Sequence, residues 1–351
     1  MYKQTLKAIM ALLFSGSATI GLAGNDTMLL HSGWKFRQAG HSEWHPATVP
    51  GVVHTDLMDN GLIEDPYYRL NERSLQWIDK EDWIYEVSFD AGALTRGYEH
   101  IRLEFLGLDT YADVFLNETQ ILTADNMFRR WAAEVKPLLK ERGNVLRIYF
   151  HSPIKKALPQ YESLPYRYEA WNDQADNGGL AGKKLSPFTR KAGYHYGWDW
   201  GPRLVTSGIW RPVKLQGWNS LRLEDVFHHQ LEVSQETARV ETQVEIEAAA
   251  PVENAVITVS DGKRVLGSRS VQLHVGMNRV SVPFTIDNPK LWWCRGMGEP
   301  YLYTFRTAVE QGGRVLAGHS TQVGLRSVTV EKKPDAYGRS LRFLLNGEPV
   351  F

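Results

Sequence analysis

The sequence predicts an all-β chain built of antiparallel sandwiches in tandem, and three observations carry that expectation. Short segments that alternate apolar with polar residues, or run rich in β-branched and aromatic ones, recur along most of the chain. Gly, Asn and Asp, the residues that turn hairpins, separate them. Helical periodicity is scarce, which argues against a parallel α/β sheet. At 351 residues the chain is too long for one ordinary domain, so two or three are expected.

Taken in order, the chain opens with a basic pair, Lys3 and Lys7, then a mostly apolar and small run over residues 8–20, then Gly21-Leu22-Ala23. That is the layout of an export signal cleaved near residue 23. The run is too short to span a bilayer, and Ser15, Gly16 and Ser17 interrupt it. Residues 24–218 form the first β region, with strands expected at IYEVSFD (84–90), IRLEFLGL (101–108), TYADVFLN (110–117) and NVLRIYFH (144–151). VHTDLMDN (53–60), stopped by Gly61, reads as a short helix, and residues 136–142 as a further turn of one. Residues 153–190 read as a long irregular insertion rich in Pro, Gly, Asn and Tyr; connections of that length are uncommon unless they are functional or disordered. Tyr161, Tyr166, Tyr168 and Trp171 within it argue against simple disorder. Residues 219–330 form the second β region, of immunoglobulin size, with Asp261-Gly262 and Gly312-Gly313 as hairpin signals. Residues 331–351 begin another hairpin-like unit, and an ending on Pro349-Val350-Phe351 looks cut.

Composition narrows the function classes. Forty basic residues balance 40 acidic ones, whereas a nucleic acid or an anionic membrane as partner calls for a basic excess. After the signal no apolar run is long enough to cross a membrane, so the mature chain is expected to be soluble. Cys294 is the single cysteine and rules out an intrachain disulfide, which in an exported protein of this size points to a bacterial periplasm. The 12 tryptophans are the compositional oddity, because a wide apolar face with one N–H donor suits both sandwich cores and sugar rings.

One stretch concentrates the chemistry: GYHYGWDWGPRLVTSGIWRPVKL (193–215) packs Tyr194, His195, Tyr196, Trp198 and Trp200 around Asp199. Gly197, Gly201 and Pro202 break any regular element that could bury those rings. An acid between two indoles on an exposed turn can accept hydrogen bonds from sugar hydroxyls while an aromatic face covers the C–H side of the ring. The plainer alternative makes Trp198 and Trp200 core wedges and Asp199 the cap of a turn amide. Tyr194, His195 and Tyr196 read as strand packing, and no second ligand sits at a spacing that would make His195 a metal site. Arg190 and Arg203 could hold Asp199 ionised, or serve as surface ion pairs.

VPGVVHTDLMDNGLIEDPYYRLNERSLQWIDKEDWIYEVSFD, LGLDTYADVFLNE, RKAGYHYGWDWGPRLVTSGIWRPVKL, LWWCRGMGEPYLYTF and VGLRSVTVEKKPDAYGRSLRFLLNGEPVF together resemble the N-terminal part of the β-mannosidases of glycoside hydrolase family 2. The resemblance implies a jelly-roll sugar-binding-type sandwich (24–218), an immunoglobulin-like sandwich (219–330) and, from residue 331, the entry to a (β/α)₈ catalytic barrel that the chain stops short of. It implies an exo-acting enzyme that releases terminal non-reducing β-D-mannose with retention, without cofactor or metal, using two barrel glutamates that lie beyond residue 351. By motif match it assigns Trp198, Asp199 and Trp200 to the mannose pocket, on a loop that docks against the barrel. Asn117-Glu118 has the dipeptide of one catalytic position but ends a sandwich strand, so no residue here is catalytic and the fragment alone is expected to be inactive. Cys294 stands where the family usually has proline, a departure that touches packing rather than chemistry. Two alternatives remain at this point: a non-catalytic carbohydrate-binding sandwich protein, and a related β-galactosidase or β-glucuronidase.

Overall fold

A computed structural model describes residues 26–262 and 264–350; the expected export signal lies outside the described residues. The described chain forms two compact units, Asp26–Trp218 and the residues from Asn219 onward.

In the first unit a six-stranded antiparallel sheet runs in the order His45–Pro46, Lys35–Gln38, Trp83–Phe89, Asn144–His151, Tyr111–Leu116, Thr119–Asp125. A four-stranded antiparallel sheet is ordered Asp26–Leu29, Val213–Trp218, His100–Phe105, Trp131–Glu134. Strict alternation in Tyr111–Leu116 and Asn144–His151 sends Ala112, Val114, Leu116, Leu146, Ile148 and Phe150 inward. There they form one core with Leu103, Phe105, Val213 and Leu215 of the four-stranded sheet. Each such fully buried Val, Leu, Ile or Phe side chain contributes about 1.5–3 kcal/mol by leaving water.

The second unit pairs a three-stranded sheet (Leu221–Val233, Thr237–Ala248, Gly276–Asp287) with a four-stranded one ordered Val265–Leu273, Val252–Ser260, Tyr303–Gln311, Arg314–Val323. Val240, Val244, Ile246, Ile257, Val259, Phe284 and Phe305 fill the space between. Gly312 and Gly313 turn the last hairpin with φ of 57° and 80°, a two-residue connection that ordinary side chains resist. Val328–Asp335, Gly338–Leu345 and Glu348–Val350 form a separate small antiparallel sheet. The all-β expectation is thus borne out.

The local departures are instructive. Residues 153–190 are not irregular throughout, because the segment opens with an 11-residue helix, Pro153–Ser163. Ser152 caps it by accepting from the Lys155 amide at 3.1 Å, and Pro153 occupies a first-turn position where a missing N–H costs nothing. Pro159 within the helix masked it in the sequence. The turn expected at 136–142 is a single 3₁₀ turn, Lys136–Leu138, while the helix expected at 53–60 is present as Val53–Asp59 with Gly61 at φ 68° after it. Asn117 and Glu118 form the tip of a hairpin, both with positive φ, and the Asn117 side chain bridges the Leu138 carbonyl and the Val145 amide. That placement is structural.

Candidate functional site

The helix Val53–Asp59, the 3₁₀ turn Gly193–Tyr196 and the loop after it surround a cavity of about 820 Å³ in the first unit. Its wall is largely apolar and aromatic, with Val52, Met58, Pro66, Tyr67, Tyr194, Trp198, Trp200 and Leu204; His54, Thr55, Asp65, His195 and Thr206 supply polar groups. A pocket of that size and lining accepts a small organic ligand held by a few placed hydrogen bonds.

Backbone pairing places the helix here. The Gly51 amide donates to the Ile209 carbonyl at 2.9 Å and the Val53 amide to Ser207 at 2.8 Å, while Gly208 and Asp109 exchange two bonds of 2.9 Å. Three chain segments meet at Gly208, where a Cβ would lie 2.8 Å from the Gly51 carbonyl oxygen and the Val52 Cα. Only glycine permits that approach.

Trp198 and Gly201 exchange amide–carbonyl bonds of 3.3 Å, which leaves Asp199 and Trp200 at the tip of a tight turn. The turn is stapled from the insertion. Gln174 donates through Nε2 to the Trp198 carbonyl at 2.6 Å, and its own amide donates to the Tyr196 carbonyl at 2.9 Å. Gly197, at φ 112°, lets Gln174 pack against it; a Cβ there would meet the Gln174 side chain at 2.6 Å. Below the turn Tyr196 is fully buried with Ile154, Ala157, Leu185 and Val205, and its hydroxyl lies 3.0 Å from Thr189 Oγ1.

The outcome for each site residue is plain. Trp198 is 39% and Trp200 84% exposed; their rings stand edge to face at 6.1 Å and both line the cavity, so neither is a core wedge. Asp199 is exposed at the tip, and its carboxylate caps no amide and pairs with no cation among the described residues. Neither arginine holds it. Arg190 forms an exposed pair with Asp125 at 2.6 Å. Arg203 is fully buried, bonded through Nη1 to Gln76 Oε1 and Asp79 Oδ2 at 2.6 Å each, and anchors the far end of the turn. The strand-packing expectation fails for Tyr194, which is 64% exposed, and for His195, which lines the cavity. Both sit on the 3₁₀ turn Gly193–Tyr196, which Gly197 ends at φ 112°.

Sequence reading missed the polar cluster behind the cavity wall. Lys191 pairs with both oxygens of Asp109, and each of the two is fully or almost fully buried. Lys191 also donates to the Thr206 carbonyl at 2.9 Å and Oγ1 at 3.1 Å; Thr206 Oγ1 lies 2.6 Å from Asp109 Oδ2 and 3.1 Å from His195 Nδ1. Burial raises the Asp109 carboxyl, but the Lys191 and His195 charges and the hydrogen bonds more than offset it, so its pKa lies below the ordinary value. Burial lowers Lys191. It also holds His54 neutral, at a pKa of about 3, and His195, at about 4, with Lys191 adding to both effects. The cavity floor therefore presents neutral imidazoles above a sealed ion pair. Among the described residues no group of three or more His, Cys, Asp or Glu is placed to hold a metal ion.

Comparison with known proteins gives this site its family. Residues 34–211 match the glycosyl hydrolase 2 galactose-binding domain-like family and residues 221–326 the glycosyl hydrolases family 2. The chain belongs to glycosyl hydrolase family 2. Among relatives of this family, β-mannosidase B of Aspergillus oryzae is 34% identical over 331 residues, covering 92% of this chain and 38% of that protein. The crystal structure of a β-D-mannosidase from Dictyoglomus thermophilum superposes with a TM-score of 0.79 at 38% identity, covering 93% of this chain and 39% of that one. An exo-chitosanase from Amycolatopsis orientalis shares the fold, with a TM-score of 0.67 at 17% identity and coverage of 93% and 36%. The chain thus spans about 38% of the length of the curated relatives it matches.

Proposed function

We propose that the whole protein is an exo-β-mannosidase that hydrolyses terminal non-reducing β-D-mannosides with retention, and that this chain supplies one wall of its mannose pocket. The observation that carries the reading is Asp199, a carboxylate without a partner among the described residues, on the tip of a hydrogen-bonded turn between two exposed indoles at the rim of an apolar cavity. Kinship at 34–38% identity with two β-mannosidases supports the choice of substrate.

The chemistry divides accordingly. Retaining hydrolysis needs two carboxyl groups about 5–5.5 Å apart, one to attack the anomeric carbon and one to protonate the leaving oxygen. We assign both to glutamates of a (β/α)₈ barrel against which this loop docks, and we expect the fragment to be inactive by itself. Asp199 accepts hydrogen bonds from two neighbouring sugar hydroxyls, each about 1.5–3 kcal/mol to a charged acceptor. Covering roughly 50 Å² of apolar sugar face with Trp198 or Trp200 adds about 1 kcal/mol. Asp199 therefore dominates the wall's contribution. No cofactor or metal takes part in this scheme. We also infer export to a periplasm from the signal-like residues 1–23.

The test uses the whole protein on nitrophenyl β-mannoside, β-galactoside and β-glucuronide. β-Mannoside is expected to be the substrate hydrolysed. Asp199→Ala is expected to lower kcat/KM on it by about 30- to 1000-fold, or about 2–4 kcal/mol. An unchanged kcat/KM removes Asp199 from the pocket.

A further inference from the structure

The buried cluster behind the cavity wall dictates the protonation of one ring that the cavity presents. Thr206 Oγ1 has one proton to give and two lone pairs to receive with, and it has three neighbours: Asp109 Oδ2, Lys191 Nζ and His195 Nδ1. Asp109 pairs with Lys191 through both oxygens and also receives the Thr110 hydroxyl, so it accepts only. The Lys191 ammonium donates only. The single Thr206 proton therefore goes to Asp109, one lone pair receives Lys191, and the remaining one is left for His195. Nδ1 of His195 must then be the protonated nitrogen, because a bare Nδ1 would face an oxygen with no hydrogen to offer.

In a neutral imidazole the other nitrogen is bare. No described residue engages His195 Nε2, and it is not among the polar atoms sealed in protein without a partner. The ring lines the cavity.

We propose that His195 Nε2 is a specificity-determining hydrogen-bond acceptor for one hydroxyl of the sugar in this cavity, with Asp109 and Thr206 as the positioning residues that lock its tautomer. The inference builds on the reading of the cavity as a sugar pocket and adds a selection rule to it. Whatever substituent faces His195 must carry an O–H. A carboxylate, carbonyl or ether oxygen in that place sets lone pair against lone pair, so an oxidised or capped sugar is rejected there.

The experiment measures kcat/KM of the whole protein on a β-mannoside and on its four monodeoxy analogues, for wild type, His195→Phe, Thr206→Val and Thr206→Ser. His195→Phe is expected to lose about three- to ten-fold on the parent substrate, the range for a hydrogen bond between neutral groups. One deoxy analogue is expected to cost the wild type a similar factor and to cost His195→Phe nothing more. Thr206→Val should behave like His195→Phe, and Thr206→Ser like wild type. Parity of His195→Phe with wild type, or an equal loss on every analogue, overturns the proposal. Nitrogen-15 spectra of the histidine-labelled whole protein, with His195 assigned by difference against His195→Phe, should show Nδ1 protonated and Nε2 bare. The reverse tautomer overturns it even if the Thr206 variants misfold. The two readings fail differently: a wild-type protein that hydrolyses no β-mannoside ends the sugar-pocket reading, whereas active wild type with an indifferent His195→Phe ends this one alone.

Discussion

Asp56→Asn gives a pH-dependent test of how the cavity-lining helix is seated. Asp56 is 1% exposed in the helix Val53–Asp59; Oδ1 accepts from the Thr48 amide at 2.8 Å and Oδ2 from the Tyr85 hydroxyl at 2.6 Å. Burial pushes its pKa from 3.8 up to about 6, against the lowering effect of those two hydrogen bonds. Below pH 3.8 the carboxyl is protonated folded and unfolded, so it makes no difference to stability. Between pH 3.8 and about 6 the unfolded chain loses the proton first, and stability falls by about 1.4 kcal/mol per pH unit. Above pH 6 both states are ionised and the cost levels off near 3 kcal/mol. An asparagine keeps the Thr48 bond and carries no charge, but its amide donates towards Tyr85, whose hydroxyl proton then loses its acceptor, at a cost of about 1 kcal/mol. The variant should therefore be about 1 kcal/mol less stable than wild type at pH 4 and about 2 kcal/mol more stable at pH 7.5. Urea unfolding followed by tryptophan fluorescence at several pH values reads the difference. A difference that stays flat from pH 4 to 7.5, or slopes the other way, refutes the assignment of a buried, proton-holding Asp56.

Other expectations follow from the same geometry. Arg203→Met leaves Asp79 buried without its cation and should cost about 3–5 kcal/mol, read as a lower Tm. Gly178→Ala should be destabilising for a related reason, since its Cβ would lie 2.5 Å from the Arg203 guanidinium carbon. Gln174→Ala should leave Tm nearly unchanged yet lower kcat/KM on β-mannoside about five-fold, because the tip bearing Asp199 loses its staple; an unchanged kcat/KM would show that the turn holds itself. His54, His195 and His228 are held neutral, at pKa values of about 3, 4 and 4. The stability each contributes is present above pH 6.5 and is lost as pH falls, by about 1.4 kcal/mol per unit until the folded pKa is reached. His228→Phe should flatten the stability profile between pH 6.5 and 4, and an unaltered profile would mean that this ring charges freely.

Much of the architecture could be read from sequence because its causes are local. Alternation with period two, as in NVLRIYFH, sends every second side chain to one face, and Gly312-Gly313 carries the turn conformation in its own residue types. The exposure of the Trp-Asp-Trp turn followed likewise from Gly197, Gly201 and Pro202. The helix Pro153–Ser163 escaped because Pro159 breaks its pattern, while the burial of Ile154 and Ala157 against Leu185, Tyr196 and Val205 sustains it. Residue types alone could not say whether Arg190 and Arg203 would reach Asp199. Long-range partners decided that, with Asp125 taking one and Asp79 the other.

By itself the sequence determined which segments had to be strands and that the Trp-Asp-Trp turn had to be exposed, since both depend on residue types within a few positions. The tertiary structure alone decided what stands behind those residues. Asp109, Lys191, His195 and Thr206 meet only because a strand-end loop, the end of the insertion and the segment after the turn converge at Thr206, and such convergence is set by the closing of two sheets over one core. A buried charge needs a partner wherever the fold brings one, and no spacing along the chain announces where that will be.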